Sequence, residues 1–238
     1  MGKKWLNIVY KEKNSTRLKK HYREWADGYD SDLKDWGYAY PSKVKQILEK
    51  YITVKKGSKI LDAGCGTGYV AEVLKALRYN NIVGIDYSKD MLRVARSKKI
   101  YKKLVCESLS KKTSLKGNQF DLVICTGVLT SGHVGPSSIK ELIRLTKPGG
   151  YLILSISEKI FSKLGFKREL EKRSNEYNYI KLSKPFIALP NHKDSARSRT
   201  VSYTHLTLPT KSSVVFGGGG GGWAGGWGGG GGGGGGGG

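Results

Sequence analysis

The sequence has few cysteines and no long apolar run. Its 3 cysteines, Cys65, Cys106 and Cys125, form no CxxC pair and have no histidine beside them. This spacing predicts neither a metal site nor a disulfide framework, and reduced thiols are typical of cytoplasmic proteins. No apolar window approaches the roughly 20 residues of a membrane span, and the basic N-terminus lacks a signal-peptide core. We therefore expect a soluble, cytoplasmic protein with no metal and no membrane association.

Acidic residues are also scarce. The chain has 42 Lys and Arg residues against 19 Asp and Glu residues, which gives a formal net charge of +23. Such an excess is typical of proteins that bind nucleic acid or acidic membranes. The lysines are scattered as pairs, however, without clustered arginines or interleaved aromatic residues. We favour a solvated basic exterior and keep a nucleic-acid partner as the alternative.

The end of the chain differs in composition from the rest. From Gly217 onward it is glycine interrupted by two tryptophans and one alanine, which offers almost no side chain to bury. The stretch TVSYTHLTLPTKSS, which starts at Thr200, matches the in-frame translation of a transposase-type sequencing adapter. We interpret residues 200–238 as non-native and disordered. A genuine glycine-rich tail that acts as a linker or binds RNA is the alternative.

Upstream of this segment, short apolar runs alternate with helical patterns. The alternation is typical of βαβ units around a mostly parallel sheet. Strands are predicted at 59–63, 81–86, 102–109, 120–129, 151–157 and 177–185, and helices at 41–52, 69–78, 89–99, 138–146 and 160–173. No internal repeat is present, so residues 1–199 are predicted to form one doubly wound α/β domain.

The run ILDAGCGTG, residues 60–68, places an acid and three glycines at the end of the first strand. Its GxGxG spacing differs from the GxGxxG of dinucleotide sites, and no Walker lysine follows. Asp62 at the strand tip would repel a phosphate and suits a cation, a ribose or an amino group. Asp86, at the end of the second strand, is positioned to accept hydrogen bonds from two ribose hydroxyls. These features favour an adenosine cofactor that carries no phosphate.

The motifs resemble those of class I S-adenosylmethionine-dependent methyltransferases. ILDAGCGTG, GIDYSKDML, FDLVICTGVL and LTKPGGYLILS follow one another in the order of that family, within residues 22–157. Inside the family, WADGYDSDLKDWGYAYPSKV, GHV and KIYKKLVCESL are most similar to the methyltransferase-like proteins of the Williams-Beuren region. The resemblance implies S-adenosylmethionine as cofactor and a Rossmann-like sheet with strand order 3-2-1-4-5-7-6.

The resemblance also implies a set of cofactor-binding residues. Asp62 and the glycine turn would hold the methionine part, Asp86 the ribose, and Tyr87 and Met91 the two faces of the adenine. Glu107 or Ser108 would contact the adenine edge, and Thr126 and Gly127 would lie under the sulfonium. The full set is Tyr29, Asp62, Gly64, Cys65, Gly66, Thr67, Gly68, Asp86, Tyr87, Met91, Glu107, Ser108, Thr126 and Gly127. Cys65 and Thr67 are expected to contribute backbone only, and plain helix packing is an equal interpretation of Met91.

An aromatic-rich arm, residues 1–42, precedes the core of the domain. It carries Tyr22, Trp25, Tyr29, Tyr38 and Tyr40. In the family such an arm closes over the pocket, and aromatic faces attract cations such as a sulfonium. We expect Tyr29 to contact the cofactor, and Trp25 and Tyr40 to attach the arm to the core.

A catalytic base is not obligatory for methyl transfer, because the reaction is an in-line displacement in which the protein mainly aligns and desolvates the reactants. His133, in TSGHV after the fourth strand, is a candidate base, although an incidental loop histidine is the favoured interpretation. We expect a small-molecule or protein acceptor. An RNA methyltransferase, which lacks support from any NPPY-like motif here, and a non-catalytic cofactor-binding regulatory subunit are the alternatives.

The last strand of the family's sheet is expected to be missing or replaced. The family pattern calls for an apolar strand after PFIALPNHKD, residues 185–194, but the adapter-like segment begins instead. An empty position would expose a sheet edge. Residues 201–208 are rich in β-formers and are able to fill the vacant position.

Overall fold

The computed structural model describes residues 3–12, 14–130, 134–161, 163–193, 195 and 197–205. The strands are Ile60–Ala63 (β1), Ile82–Asp86 (β2), Lys103–Cys106 (β3), Phe120–Leu129 (β4), Thr146–Ser157 (β5), Tyr177–Leu182 (β6), Phe186–Ile187 (β7) and Arg197–His205 (β8). The helices are Lys3–Lys11 (α1), Ser15–Trp25 (α2), Tyr29–Asp35 (α3), Tyr40–Lys50 (α4), Tyr69–Ala76 (α5), Lys89–Ser97 (α6), Ser138–Leu145 (α7), Glu158–Phe161 (α8) and Phe166–Lys172 (α9), followed by a 3₁₀ turn at Ser174–Glu176.

The strands form one sheet in the order β3-β2-β1-β4-β5-β8-β6, with β7 paired to β8. The first five strands are parallel, and β8 is antiparallel to β5 and to β6. Successive residues of β1 enter different apolar clusters, Leu61 on one face of the sheet and Ile60 on the other. Strands buried on both faces are typical of doubly wound folds. The predicted fold class and the strand order 3-2-1-4-5 are therefore confirmed.

The position between β5 and β6 is filled by β8. Its register pairs Leu154 of β5 with Val201, and Tyr177 of β6 with His205. Residues 200–205, which the sequence analysis expects to be disordered, thus form part of a strand, and β5 has a neighbour on both sides. Two physical reasons account for this strand. The stretch VSYT has high β-propensity, and it pairs with the edges of β5 and β6, which would otherwise lack hydrogen-bond partners there. The rest of the adapter-like segment lies outside the described residues.

The prediction of one continuous helix over residues 160–173 is wrong. The structure has two short helices here, α8 and α9, separated by a turn at residues 163–165. Gly165 precedes α9 with a φ of +81°, a left-handed conformation that interrupts a right-handed helix. The turn directs Phe166 and Leu170 of α9 into the core.

The arm packs around an aromatic cluster of its own, separate from the two clusters on the sheet. Trp25, Leu33 and Trp36 are buried there together with Leu189 from the segment after β7. The Ala39 N–H donates to the carbonyl of Ala188 at 3.0 Å, which joins the arm to the same segment. No helix in the described part of the chain is long and apolar enough to cross a membrane.

Candidate cofactor site

A cavity of about 250 Å³ lies beside the carboxyl ends of β1, β2 and β3 and the distal part of β4. It is lined by Leu18, Tyr22, Tyr29, Tyr38, Asp62, Gly64, Cys65, Gly66, Thr67, Tyr69, Val70, Asp86, Tyr87, Met91, Glu107, Ser108, Leu109, Ser110, Thr126, Gly127, Val128 and Val134. Every residue of the predicted cofactor set is among them except Gly68, which is the N-cap of α5. The candidate base His133 lies outside the described residues. The structure therefore brings the dispersed motifs to one place.

The turn after β1 has a backbone that only glycine adopts readily. Gly64, Gly66 and Gly68 have φ values of +74°, +52° and +92°. At Gly64 a Cβ atom would lie 2.2 Å from Cγ2 of Val128, so the backbone of the turn touches the distal part of β4. At Gly66 a Cβ atom would meet nothing within 4 Å. The turn thus closes tightly at its start and leaves open space at its middle.

Asp86 holds the turn and also faces the cavity. Its carboxylate accepts hydrogen bonds from the backbone N–H of Gly66 at 3.0 Å and of Ser88 at 2.8 Å. Burial raises the pKa of this carboxyl, whereas the backbone hydrogen bonds oppose the rise. A carboxylate has about four lone-pair sites, so these two bonds leave acceptor capacity for a ligand.

Asp62 is the most deeply buried acid of the cavity, with 2% of its surface exposed. Burial raises the pKa of its carboxyl to about 7, and the nearby Asp86 adds to the rise. The hydroxyl of Tyr101 donates a hydrogen bond to Oδ2 of Asp62 at 2.7 Å. This bond favours the ionised carboxylate and so limits the rise in its pKa. Sequence reasoning missed Tyr101. Tyr101 lies in the motif KIYKKLVCESL, but no role was assigned to it there. Gly84 in the apolar second strand leaves room for its ring, since a Cβ atom there would lie 2.8 Å from the ring.

Tyrosines of the arm form one wall of the cavity. The ring centroid of Tyr22 lies 6.4 Å from that of Tyr29 and 6.3 Å from that of Tyr87. The hydroxyl of Tyr38 lies so close to Gly127 that a Cβ atom there would be 2.6 Å away. Burial raises the pKa of Tyr22, Tyr29 and Tyr38, so these phenols are neutral at physiological pH.

Trp25 and Tyr40, which the sequence analysis expects to attach the arm, do not line the cavity. The indole N–H of Trp25 donates to Oδ2 of Asp32 at 2.7 Å. The Tyr40 hydroxyl shares a hydrogen bond of 2.8 Å with Oγ of Ser198, on β8. The Tyr40 contact thus joins the arm to the sheet, whereas the Trp25 hydrogen bond joins α2 to α3 within the arm.

Residues after β2 and β3 line another part of the cavity. Met91, on the first turn of α6, is buried and belongs to the lining, so it both packs the helix and faces the cavity. Glu107 accepts from the backbone N–H and from the hydroxyl of Ser114, and these bonds lower the pKa of its carboxyl. Ser108 shares a hydrogen bond with Ser110, which the sequence reasoning did not single out.

Two buried polar atoms of the lining have no hydrogen-bond partner among the described residues. They are the hydroxyl of Tyr87 and Oγ1 of Thr126. Buried hydroxyls in proteins are normally hydrogen-bonded, so both atoms leave capacity for a bound molecule. The described lining includes three carboxyl groups and neither lysine nor arginine, although the chain as a whole is strongly basic. The cavity therefore suits a ligand that carries positive charge and hydrogen-bonding groups.

Comparisons with known proteins agree with this geometry. A family model described as a methyltransferase domain matches residues 61–154. The human methyltransferase-like protein 27 is 31% identical over 171 residues, which cover 71% of this chain and 69% of that protein. The ubiquinone biosynthesis O-methyltransferase of Pseudomonas aeruginosa is 35% identical over 133 residues, which span 53% of this chain and only about half, 55%, of the bacterial protein.

A solved structure supports the fold. The SAM-dependent methyltransferase from Thermotoga maritima superposes with a TM-score of 0.55 at 19% identity and covers 77% of this chain and 97% of its own. The predicted resemblance is confirmed by the human relative and by the domain match. Together with the glycine turn and the two acids at the strand tips, these matches show that the chain belongs to the class I S-adenosylmethionine-dependent methyltransferases.

Proposed function

We propose that this chain transfers the methyl group of S-adenosylmethionine to a small-molecule or protein acceptor in the cytoplasm. One observation carries the proposal: the cavity combines two buried carboxyl groups with a tyrosine wall and, in its described lining, has no lysine or arginine. A sulfonium and an ammonium group suit such a cavity, because aromatic faces and carboxylates both attract cations. The phosphates of NAD or ATP would be repelled there.

The residues present fit the cofactor. The free acceptor capacity of Asp86 suits the two ribose hydroxyls, and the carboxyl of Asp62 suits the ammonium group of the methionine part. Tyr87, Met91, Glu107 and Ser108 line the cavity, which supports our proposal that the first two flank the adenine and that Glu107 or Ser108 contacts its edge. The unpartnered Oγ1 of Thr126 supplies a further polar contact near Gly127.

When bound, S-adenosylmethionine supplies an activated methyl group on a sulfonium leaving group. The task of the chain is to align that group with an acceptor and to exclude water. The rings of Tyr22, Tyr29 and Tyr38 would do both, since they wall the cavity and remain neutral. We do not assign the role of general base to these tyrosines, because their raised pKa values keep the hydroxyls protonated. His133 stays a candidate base, and its replacement by alanine tests that role through the pH profile of transfer.

An RNA acceptor is the second candidate, and the net charge of +23 is the observation that favours it. Tritiated-methyl transfer to fractionated lysate separates the acceptor classes. We expect label in the protein or small-molecule fraction. Label in RNA alone would overturn the proposed acceptor class, and cofactor binding without transfer to any fraction would favour a regulatory subunit.

Calorimetry with S-adenosylmethionine, NAD and ATP tests the cofactor assignment itself. We expect binding of the first compound only. Asp86→Ala should weaken that binding by about 100-fold, because a buried charged hydrogen-bond acceptor is lost. Asp90→Asn, four residues along the chain and outside the cavity lining, is the matched control and should leave affinity within about twofold. Capture of NAD or ATP in preference, or full affinity in Asp86→Ala, would contradict the assignment.

A further inference from the structure

The helix that carries Tyr29 is tied to the glycine turn at one carboxylate. Oδ1 of Asp30 accepts a hydrogen bond of 2.5 Å from the hydroxyl of Thr67. Oδ2 of Asp30 lies 2.6 Å from Nζ of Lys98, which also contacts Glu72 at 2.7 Å. The exposed fraction is 15% for the Lys98 side chain, 34% for Asp30 and 46% for Glu72, so solvent reaches the carboxylates more than the lysine. We call these four residues, Asp30, Thr67, Glu72 and Lys98, the latch.

The latch joins parts that are far apart in the chain. Thr67 lies in the glycine turn between Gly66 and Gly68, and its side chain is buried. Lys98 caps the C-terminus of α6, the helix whose first turn carries Met91 to the cavity. Asp30 follows Tyr29 directly on α3. A molecule that fixes the turn and the start of α6 therefore also fixes both partners of Asp30.

We propose that Asp30 is a positioning residue: through Thr67 and Lys98 it holds the arm closed over bound S-adenosylmethionine and slows its release. The inference rests on the proposed function, since it needs the cofactor in this cavity. Coupling between two sites is reciprocal, so a closed arm strengthens cofactor binding to the same extent that the cofactor favours the closed arm.

Other ion pairs between the arm and α6 are exposed and serve as controls. Arg93 contacts Asp27, with 59% and 81% of the two side chains exposed. Arg23 contacts Asp90 at 3.4 Å, with 70% of the arginine side chain and 34% of the aspartate side chain exposed. Ion pairs at such exposure contribute little, because solvent screens them. Loss of Arg93 should therefore leave the arm closed.

The test measures cofactor dissociation in the wild-type chain and in four variants. Lys98→Met removes the latch cation, Thr67→Val removes the hydroxyl, Lys98→Arg keeps the charge, and Arg93→Met removes the exposed pair. Stopped-flow tryptophan fluorescence is suitable, because the tryptophans of the described residues, Trp5, Trp25 and Trp36, all lie in the arm. Hydrogen exchange over residues 15–36 of the ligand-free chain reports arm opening independently.

We expect Lys98→Met to raise the dissociation rate of S-adenosylmethionine about tenfold, with a similar rise in arm exchange and little change in association. Thr67→Val should raise it about threefold, because a hydrogen bond to a charged group is lost. Lys98→Arg should restore slow dissociation, and Arg93→Met should stay within about twofold of wild type. A merely misfolded Lys98→Met would lose binding stoichiometry, which the calorimetric titration detects.

The outcomes separate the two proposals. If the wild-type chain does not bind S-adenosylmethionine, the proposed function falls and this inference falls with it. If the wild-type chain binds and Lys98→Met shows unchanged dissociation and unchanged arm exchange, the latch alone is overturned. Equal effects of Lys98→Met and Arg93→Met would also overturn it, because a general electrostatic effect would then explain the change.

Discussion

Asp62 illustrates at the scale of one residue how burial links binding to pH. Its carboxyl has a pKa of about 7 in the free chain, so it is largely neutral at pH 6 and ionised at pH 8. Only the ionised form pairs with the ammonium group of the cofactor. Affinity for S-adenosylmethionine should therefore rise with pH, by up to about tenfold per unit below the pKa. Calorimetry between pH 6 and pH 8.5 measures this dependence.

Asp62→Asn is the control for that prediction and should bind weakly with a flatter pH profile. The same carboxyl makes the stability of the ligand-free chain fall with rising pH, whereas cofactor affinity rises. Because its folded-state pKa is raised above the unfolded value of about 3.9, it contributes stability that is complete below that value and is lost as pH rises through about 7. Urea denaturation of the wild type should show this loss, and an equally steep loss in Asp62→Asn would contradict it.

Gly64 and Gly66 differ in what surrounds them, and this difference predicts different tolerances. Gly64→Ala should destabilise the fold by about 3 kcal/mol, because a positive φ and a contact of 2.2 Å with Val128 both oppose a Cβ atom. Gly66→Ala has only the unfavourable φ and should destabilise by about 1 kcal/mol. Val128→Ala in the Gly64→Ala background should recover part of the loss in urea denaturation. Equal losses in the two single variants would contradict the steric argument.

At the scale of elements, we expect the loss of β8 to lower the melting temperature of the chain. It pairs with β5 on one side and with β6 on the other. A chain that ends after residue 199 loses most of this strand, whereas one that ends after residue 205 retains it. We expect the shorter chain to melt on the order of 10 °C lower or to lose cooperative melting, because two strand edges become unpaired. The longer chain should melt like the full chain.

Thermal melting and size-exclusion chromatography of both truncated chains check this expectation. It holds whether residues 200–205 are native or, as we propose, part of an adapter-derived segment, because the physical role of the strand is the same. Sequencing of the gene from genomic DNA tests the origin of the segment. If the two truncated chains had equal melting temperatures, β8 would not stabilise the sheet.

The elements themselves show what a sequence does and does not reveal. The strand at 120–129 and the α5 and α6 helices follow from apolar runs and stripes, because local burial sets these patterns. The break at Gly165 was not predicted, since helical spacing continues across it. Contacts such as Tyr101 with Asp62, or Asp30 with Lys98, join positions far apart in sequence. Only the folded backbone brings them together, and no local pattern encodes such pairs.

At the scale of the whole molecule, charge is distributed unevenly. The chain has a formal net charge of +23, whereas all the charged residues in the described lining of the cavity are acidic. A solvated basic exterior predicts weak, sequence-independent binding to RNA that falls at least about tenfold between 50 and 200 mM salt. Fluorescence anisotropy with unrelated RNA sequences measures this. Tight, sequence-selective binding at 200 mM salt would instead favour an RNA substrate.

The order of the strands also bears on how the chain is made. Among the described residues, β6 pairs with β8 alone, and β8 is the last described strand to be synthesised. While the chain emerges from the ribosome, strands β1 to β5 can form their parallel sheet, but β6 has no strand to pair with. Expression of the sequence as given thus leaves β6 with an unpaired edge until translation of β8 is complete, and aggregation through that edge is favoured during this interval.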